Sequence, residues 1–476
     1  MQLSNNLKEN LAVIKSRLNS DDVAYTELNL GQKQGVLVFV KDIVDKDKIG
    51  DLILRPAKDI TGDLSLDDLF SCFLYPEKEM QRDVDKIIEL IVSGYTLLFI
   101  DGVNSAVSFA LLKFEKRAIT EPPMSTVIKG PREGFVENIA VNVSLMRRKL
   151  KTEKLKFINL TVGTVSKTPV VICYIEGVAD EKIVKSLKKK IESMQKDALL
   201  DSSYVAKYLC EHKTSVFRQI GNTEKPDILS AKILEGRVAV FVDGSPIALT
   251  IPYLLIEEFQ SPSDYYNSPY NASISRIIRI FSVFVSIMLP AFFVSAQLFH
   301  LQLIPLSFLL TIVNSIKGIP LSPSYEMFFT LLIFEILNEA SVRMPKYVGM
   351  VVSIVGGLVL GETAVNAGII SAPILMLVAF SGICLYTVPD LERTFSMLRF
   401  LLLVVGGTLG MYGVLCAVSY FIIYLTSFES YKTPLLAPFS PLIKTDLKDG
   451  VIKGFVLETE SKPYSLKNAH KKEREN

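Results

Sequence analysis

The stretch GYTLLFIDG at residues 94–102 returns as GRVAVFVDG at 236–244, with Gly, Phe, Asp and Gly in register. Each copy is an apolar run closed by Asp-Gly, and each is followed by a second apolar run, from Val107 to Phe114 and from Ile247 to Ile251. Asp-Gly between two such runs signals a hairpin, because both central positions of a type I′ turn need positive φ. Two lobes of one α/β design are the expectation; two unrelated hairpins are the plainer alternative. Residues 36–40 and 170–175 read as further buried strands beside 96–100 and 238–242. Met80, Val84, Ile87, Ile88 and Ile91 keep helical spacing and stop before Gly94. Asp180 is placed to cap a helix with the apolar face Ile183, Val184, Leu187, Ile191 and Met194. Its outer face, Lys185, Lys188, Lys189 and Lys190, reads as solvated surface, with anionic lipid as the alternative.

The chain changes character near Ile277. Residues 277–299 carry no charge and are long enough to cross a bilayer core of ~30 Å. Residues 347–370, 372–388 and 400–425 are further candidate spans. The apolar pieces 301–316 and 325–337 are interrupted around Pro305, Pro320 and Pro323, the pattern of half-helices or re-entrant segments. Residues 1–22 are polar, without the apolar core of a signal peptide, so the amino-terminal region is expected in the cytoplasm. Arg276 and Arg279 ahead of the first span and Lys471, Lys472 and Arg474 in the tail favour the same side, which asks for an even number of crossings. The expected organisation is an α/β two-lobe soluble region followed by an α-helical multi-span membrane domain. Residues 1–135 form the first lobe, and 136–275 the linker helices and second lobe. Residues 276–426 form the transmembrane domain, with about four to six hydrophobic segments, and 427–476 a cytoplasmic tail.

Within 347–370, Gly349, Ser353, Gly357 and Gly361 recur every four residues, a ridge that admits a neighbouring helix. The opposite face carries Val351, Val355, Glu362 and Asn366, with Val359 at its margin. A carboxylate facing lipid costs ~3 kcal/mol, so Glu362 must face protein or water. Valine rings that close by dewetting and a glutamate ring that favours cations suit a pore lining. The alternative is an ion pair between Glu362 and Arg343 or Arg393. Glu326, Glu335, Glu339 and Arg343 form a second polar thread, close enough to pair along one helix; a buried ionic cluster or a water-exposed vestibule is its more ordinary role. Gly406, Gly410 and Gly413 read as helix packing.

A net charge of +2 gives no reason to expect nucleic acid as a partner. Five cysteines without a C-x-x-C pair and three distant histidines predict neither a disulfide framework nor a metal site. The chain has no Walker loop, G-x-S-x-G, zinc spacing or dinucleotide fingerprint. No enzyme activity, catalytic residue or cofactor is therefore expected.

The stretch GPREGFVEN at 130–138 predicts a turn at Gly130-Pro131 that fixes entry to a helix with the stripe Phe135, Ile139, Val143, Met146 and Leu150. Arg132 and Gly134 complete its core. Glu133 and Glu137 are expected near the helix start and Arg147, Arg148 and Lys149 at its end, where the macrodipole favours each. With Asn138 these residues are assigned to joining the lobes rather than to a ligand. A GPREGF motif ahead of a membrane block resembles the A subunit of the GerA family, the nutrient germinant receptors of bacterial endospores. RRKLKT at 147–152, QSPSDYY at 260–266 and LAPFSP at 436–441 match the family in type and order.

The resemblance implies a multi-pass subunit of a receptor in the spore inner membrane. Its partners would be a transporter-like B subunit that senses nutrients and a lipoprotein C subunit. It also implies self-association, with a pentamer as the expected number, into a nutrient-gated channel for monovalent cations. The Glu362 helix is then the leading pore candidate. A secondary transporter acting alone and a membrane-anchored scaffold without a pore are the competing readings.

Overall fold

The computed structural model describes residues 2–60, 73, 75, 78–113, 130–213, 215–345, 348, 349, 357, 361–444, 446–454 and 466. Contacts divide them into two units. One runs to Leu254 and includes Ser430–Thr433; the other holds Leu255–Glu429 and resumes at Pro434.

The first unit contains two five-stranded antiparallel sheets. Strands β1 (Val23–Leu30), β2 (Lys33–Val40), β3 (Lys78–Gln81), β4 (Thr96–Ile100) and β5 (Ala106–Phe109) lie in the order β1-β2-β4-β5-β3. Strands β6 (Leu155–Val162), β7 (Thr168–Ile175), β8 (Gly221–Thr223), β9 (Val238–Val242) and β10 (Ala248–Ile251) lie in the order β6-β7-β9-β10-β8. Strand for strand, the two orders are the same. The echoed segments become β4 and β9, and each is buried along its whole length. A continuous apolar run suits a strand covered on both faces. In β9, Val238, Val240 and Val242 enter one core while Ala239 and Phe241 enter the other. Leu97 and Phe99 of β4 divide from Leu98 and Ile100 in the same way.

The helices repeat as well. Helix α1 (Leu7–Arg17) precedes β1 as α3 (Ile139–Lys149) precedes β6, and α2 (Val84–Val92) precedes β4 as α5 (Pro226–Leu234) precedes β9. Asn6 caps α1 through the Lys8 N–H at 3.0 Å, and Asn138 caps α3 through the Ala140 N–H at 2.9 Å. One turn later a buried asparagine clamps the entering strand of chain. Asn10 exchanges two hydrogen bonds with the main chain of Ser4, and Asn142 does so with Val136. The hairpin turns close the lock. Asp101 accepts the Leu7 N–H at 3.2 Å and Asp243 the Ile139 N–H at 3.1 Å. The following Gly102 and Gly244, at φ +77° and +85°, donate to the carbonyls of Asn5 and Glu137.

Two local expectations fail here. Met80 lies in β3, more than a third exposed, and the helix starts only at Val84, capped by Asp83. The GPREGF segment is not the first turn of a helix: α3 begins at Ile139, and Glu133 and Glu137 precede it. The Asn138 cap and the Asn142 clamp on Val136 keep this stretch out of the helix, so the carboxylates lie outside the first turn. Helix α4 (Glu181–Glu192) follows the expected pattern: Asp180 caps it and Val184, Leu187 and Ile191 are buried.

The second unit is helical: α6 (Pro269–Phe299), α7 (Leu306–Ile316), α8 (Pro323–Arg343), α9 (Gly361–Asn366), α10 (Ala372–Leu385) and α11 (Glu392–Thr426). By length and composition, α6 and α11 are apolar enough to cross a membrane. Helix α8 runs unbroken for 21 residues, not as a half-helix. Pro323 stands in its first turn, where a missing N–H breaks no helical bond. Helix α11 is folded. Gly410 takes φ +65° and ψ −158°, a region open essentially to glycine alone. Val414 comes within 3.2 Å of where a Cβ on Gly406 would stand, and Val405 within 3.1 Å of the same point on Gly413. Residues eight apart in a straight helix are separated by ~12 Å, so the arms 392–409 and 411–426 pack back to back. At ~1.5 Å per residue they measure roughly 27 and 24 Å. The expected single span at 400–425 is thus a helical hairpin with Gly410 at its tip.

Candidate functional site

The apolar helices carry their charges inward. Arg399 of α11 is almost wholly buried; it reaches Glu335 of α8 at 2.5 Å and the Ser381 hydroxyl of α10 at 2.9 Å. Ser381 donates to the carbonyl of Ser286 on α6 at 3.0 Å. Ser396 donates to Glu335, and Asn338 to Glu392. One network therefore ties α6, α8, α10 and α11, as a low-dielectric interior requires of ionised groups. Residues 335 and 338 rising along α8 meet 399 and 392 descending along α11, so α8 and the first arm of α11 run antiparallel.

The polar thread does not pair along its own helix, except that Glu339 and Arg343 meet at 2.6 Å. Glu335 turns to Arg399. Glu326, fully buried, accepts the Ser371 N–H at 2.5 Å and the Ser371 hydroxyl at 2.6 Å, where α10 begins.

On the candidate pore face, Glu362 and Asn366 of α9 are exposed, while Gly361 is buried against Leu375. Glu362 forms no ion pair among the described residues, and Arg343 is engaged by Glu339. Gly349 is buried and Gly357 exposed. Val351, Ser353, Val355 and Val359 lie outside the described residues.

A second cluster binds the start of α6 to the tail beyond α11. Arg276, with no exposed surface, donates to the carbonyls of Asp449 and Gly450 and pairs with the carboxylates of Asp449 at 3.0 Å and Asp264 at 3.3 Å. Arg279 grips both Asp264 oxygens at 2.7 Å, and Lys453 donates to the Asp264 carbonyl at 2.6 Å. Burial pushes the Asp264 carboxyl up, but the Arg279 guanidinium, the Ser261 N–H and Arg276 outweigh it and hold it below the usual range. The first long helix thus begins beside the segment that follows the last one.

The lobes meet through charge. Arg147 and Asp22, each at most 3% exposed, pair at 2.7 and 3.0 Å. Arg17 joins Asp85 of its own lobe to Glu153 of the other. The edge of β6 receives the loop before β1: Phe157 N–H donates to Ser20 Oγ, and Asn159 N–H to Asp21.

A family model described as "Bacillus/Clostridium GerA spore germination protein" matches residues 7–465, nearly the whole chain. The chain belongs to the GerA family. It is 33% identical over 454 residues to "Uncharacterized membrane protein YfkQ" of Bacillus subtilis (strain 168), covering 94% of this chain and 88% of that protein. "Spore germination protein KA" of the same organism is 31% identical, covering 98% and 88%, and "Spore germination protein GerQA" of Bacillus cereus 32%, covering 94% and 90%. Among solved structures, the N-terminal domain of the A subunit of the Bacillus megaterium spore germinant receptor GerK3 is similar at 30% identity and a TM-score of 0.42, covering 54% of this chain and 98% of that one.

In this GerA-family chain the GPREGF residues sit at the foot of the second lobe. Gly130 takes φ +119° ahead of Pro131 and Arg132. Glu133 pairs with Arg148, and with Lys149 at 3.5 Å. Past Gly134, Phe135 is buried edge-on to Phe241 with ring centres 5.3 Å apart, and its N–H donates to Glu224. Glu137 gives its carbonyl to Gly244 and Asn138 caps α3. Two functional contacts had no sequence signal read for them. Asp22, the partner of Arg147, lies 125 positions away. Tyr431, just past α11, enters the second lobe's core, donates to the Leu209 carbonyl at 3.0 Å and lies under Lys190.

Proposed function

We propose that this GerA-family protein is the A-type subunit of a nutrient-germinant receptor in the spore inner membrane. In this reading several copies assemble, five being the number the family resemblance implies, into a cation channel opened by nutrient. A transporter-like B subunit and a lipoprotein C subunit complete the receptor, and the two lobes lie in the cytoplasm. The observation that carries the pore reading is the exposed pair Glu362 and Asn366 on a helix whose Gly361 is buried. A carboxylate left uncovered by its own chain, in an apolar stretch, calls for water or for a second copy against it. Membrane insertion has further support in the inward-facing ion network around Arg399 and in the outward-facing apolar side chains of α6, α7 and α11. The junction of Arg276 with Asp449 agrees with both ends of the helical unit lying on one side, hence with an even number of crossings.

Dormant spores carrying Val355→Ala or Glu362→Gln test the proposal, with subunit abundance checked alongside. Nutrient-independent ion leakage from Val355→Ala, or a flux defect from Glu362→Gln at normal abundance, is the expected result. Wild-type release from both at normal abundance would remove this helix from the ion path and leave the subunit a scaffold.

A further inference from the structure

The two faces of the second lobe's sheet are covered by different helices. On one face α3 packs through Leu145 and Met146, and α5 through Leu229 and Ile233. On the other, α4 packs through Val184, Leu187 and Ile191, and the short helix Ser202–Leu209 through Val205 and Leu209. Helices that lie on one sheet face turn their opposite sides to a common outer surface. On α4 that side is Lys182, Lys185 and Lys189, spaced i, i+3 and i+7 and all exposed. On the short helix it is Ser203, Tyr204 and Lys207, with Tyr204 48% exposed. Glu181 and Glu192 stand at the flank of α4, meeting Lys185 and Lys188 in surface pairs of little strength. The crest itself is basic and aromatic. The first lobe supplies the contrast: the layer that buries Ile49, Ile53 and Ala57 turns outward Asp47, Asp51, Arg55 and Lys58, with Asp51 and Arg55 paired at 3.0 Å.

Tyr431 is seated in the layer that α4 and the short helix form, its ring under Lys190 and its hydroxyl on the Leu209 carbonyl. Thr426 ends α11, so five residues separate that helix from this layer. Such a stretch spans at most ~18 Å. A bilayer that holds α11 therefore has its surface within that reach of the layer.

We infer that the outer surface of α4 and the Ser202–Leu209 helix docks on the anionic lipid surface into which α11 runs. Lys182, Lys185, Lys189 and Lys207 lie over the headgroup phosphates, and Tyr204 sits among the headgroups. This rests on the reading that the helical unit spans the membrane. Each lysine near an anionic leaflet favours contact by about fivefold, an attraction screened beyond ~8 Å at physiological salt. A tyrosine holds its ring at the headgroup level while its hydroxyl stays wet. Lysine is a point charge on a flexible stem, without the fixed fork of arginine, which suits a fluid surface of phosphates. Protein interfaces are poor in lysine, and this crest carries four lysines and no arginine.

The chain contains no tryptophan, so Tyr204→Trp provides a single fluorescent reporter in the full-length protein. The protein is reconstituted into bilayers whose brominated, quenching lipid is either phosphatidylglycerol or phosphatidylcholine. Emission from Tyr204→Trp is expected to fall by about half or more in brominated phosphatidylglycerol and by little in brominated phosphatidylcholine. Adding Lys185→Gln and Lys189→Gln should restore most of it; all three positions are exposed, so the fold is not at stake. Undiminished emission in phosphatidylglycerol would overturn the docking and leave the crest to water or to a protein partner. Equal quenching in both lipids, or quenching that survives the lysine changes, would overturn it as well, since charge would then play no part. Phe284→Trp, at an exposed position midway along α6, separates the two readings. Quenched in both bilayers, it leaves the membrane reading standing whatever Tyr204→Trp shows. Unquenched, it removes the membrane reading and the docking together.

Discussion

The first lobe and the second share a strand order and a helix-start lock, yet they use one helix position differently. Lys15 of α1 and Arg147 of α3 each stand nine residues past the capping asparagine. Each lies over the aromatic ring in the third position of the following strand, Lys15 over Tyr25 at 5.0 Å and Arg147 over Phe157 at 4.9 Å. Lys15 is exposed, whereas Arg147 is buried against Asp22 of the other lobe. Contacts present in both lobes make each lobe fold; contacts present once make the two lobes one body.

The largest test of that division is Arg147→Ala. It leaves Asp22 buried without its counter-charge and should cost about 3–5 kcal/mol. Hydrogen exchange should rise along β6 and through residues 20–22; unchanged protection there would end the view of Arg147 as the joint. Arg147→Met combined with Asp22→Leu should recover most of the loss, because a matched apolar pair leaves no stranded charge. Next come Asp101→Ala and Asp243→Ala, each expected to cost about 1 kcal/mol through loss of a helix-start hydrogen bond. Similar losses of protection in α1 and α3 sharpen the equivalence, and a loss confined to one lobe breaks it. Lys15→Ala should change stability by less than about 0.5 kcal/mol in the same measurement, in contrast to its counterpart.

The smallest effect is one of pH. The Arg17 guanidinium, bonded to Asp85 at 2.5 Å, holds that carboxyl below its usual range. A depressed carboxyl stabilises the fold above the unfolded value of about 4, and the contribution disappears as pH falls further. Exchange at the start of α2 should therefore quicken slightly in acid, and Asp85→Asn should remove that dependence.

Much of the two-lobe fold was legible because its signals are local. The doubled Asp-Gly hairpins and the apolar runs of β2, β4, β7 and β9 state their structure within a few residues. The asparagine pairs were equally local: Asn6 with Asn10 and Asn138 with Asn142 repeat at one spacing, and aligning the segments ahead of each hairpin pair would have found them. The GPREGF stretch misled because its carboxylates suit a helix start, while Asn138 holds the cap. Partners chosen by tertiary packing left no local trace. Glu335 meets Arg399 across helices, and Asp22 meets Arg147 across lobes. Gly410 looked like its neighbours Gly406 and Gly413, since a glycine that lets helices approach and one that folds a helix back are the same letter. Glu362 was expected to face protein or water, and it stands exposed on α9.

The pair Asp22 and Arg147 also makes the two-lobe unit asymmetric. Two identical surfaces meeting about a twofold axis present every contact twice, whereas two lobes of one chain need not. The positions that mirror this pair are Lys15 and Lys154, two like charges, so the joint is not twofold symmetric. A tandem of this kind has distinguishable ends: the first lobe offers the buried carboxylate and the second the buried guanidinium, so the two lobes cannot exchange places in the joint.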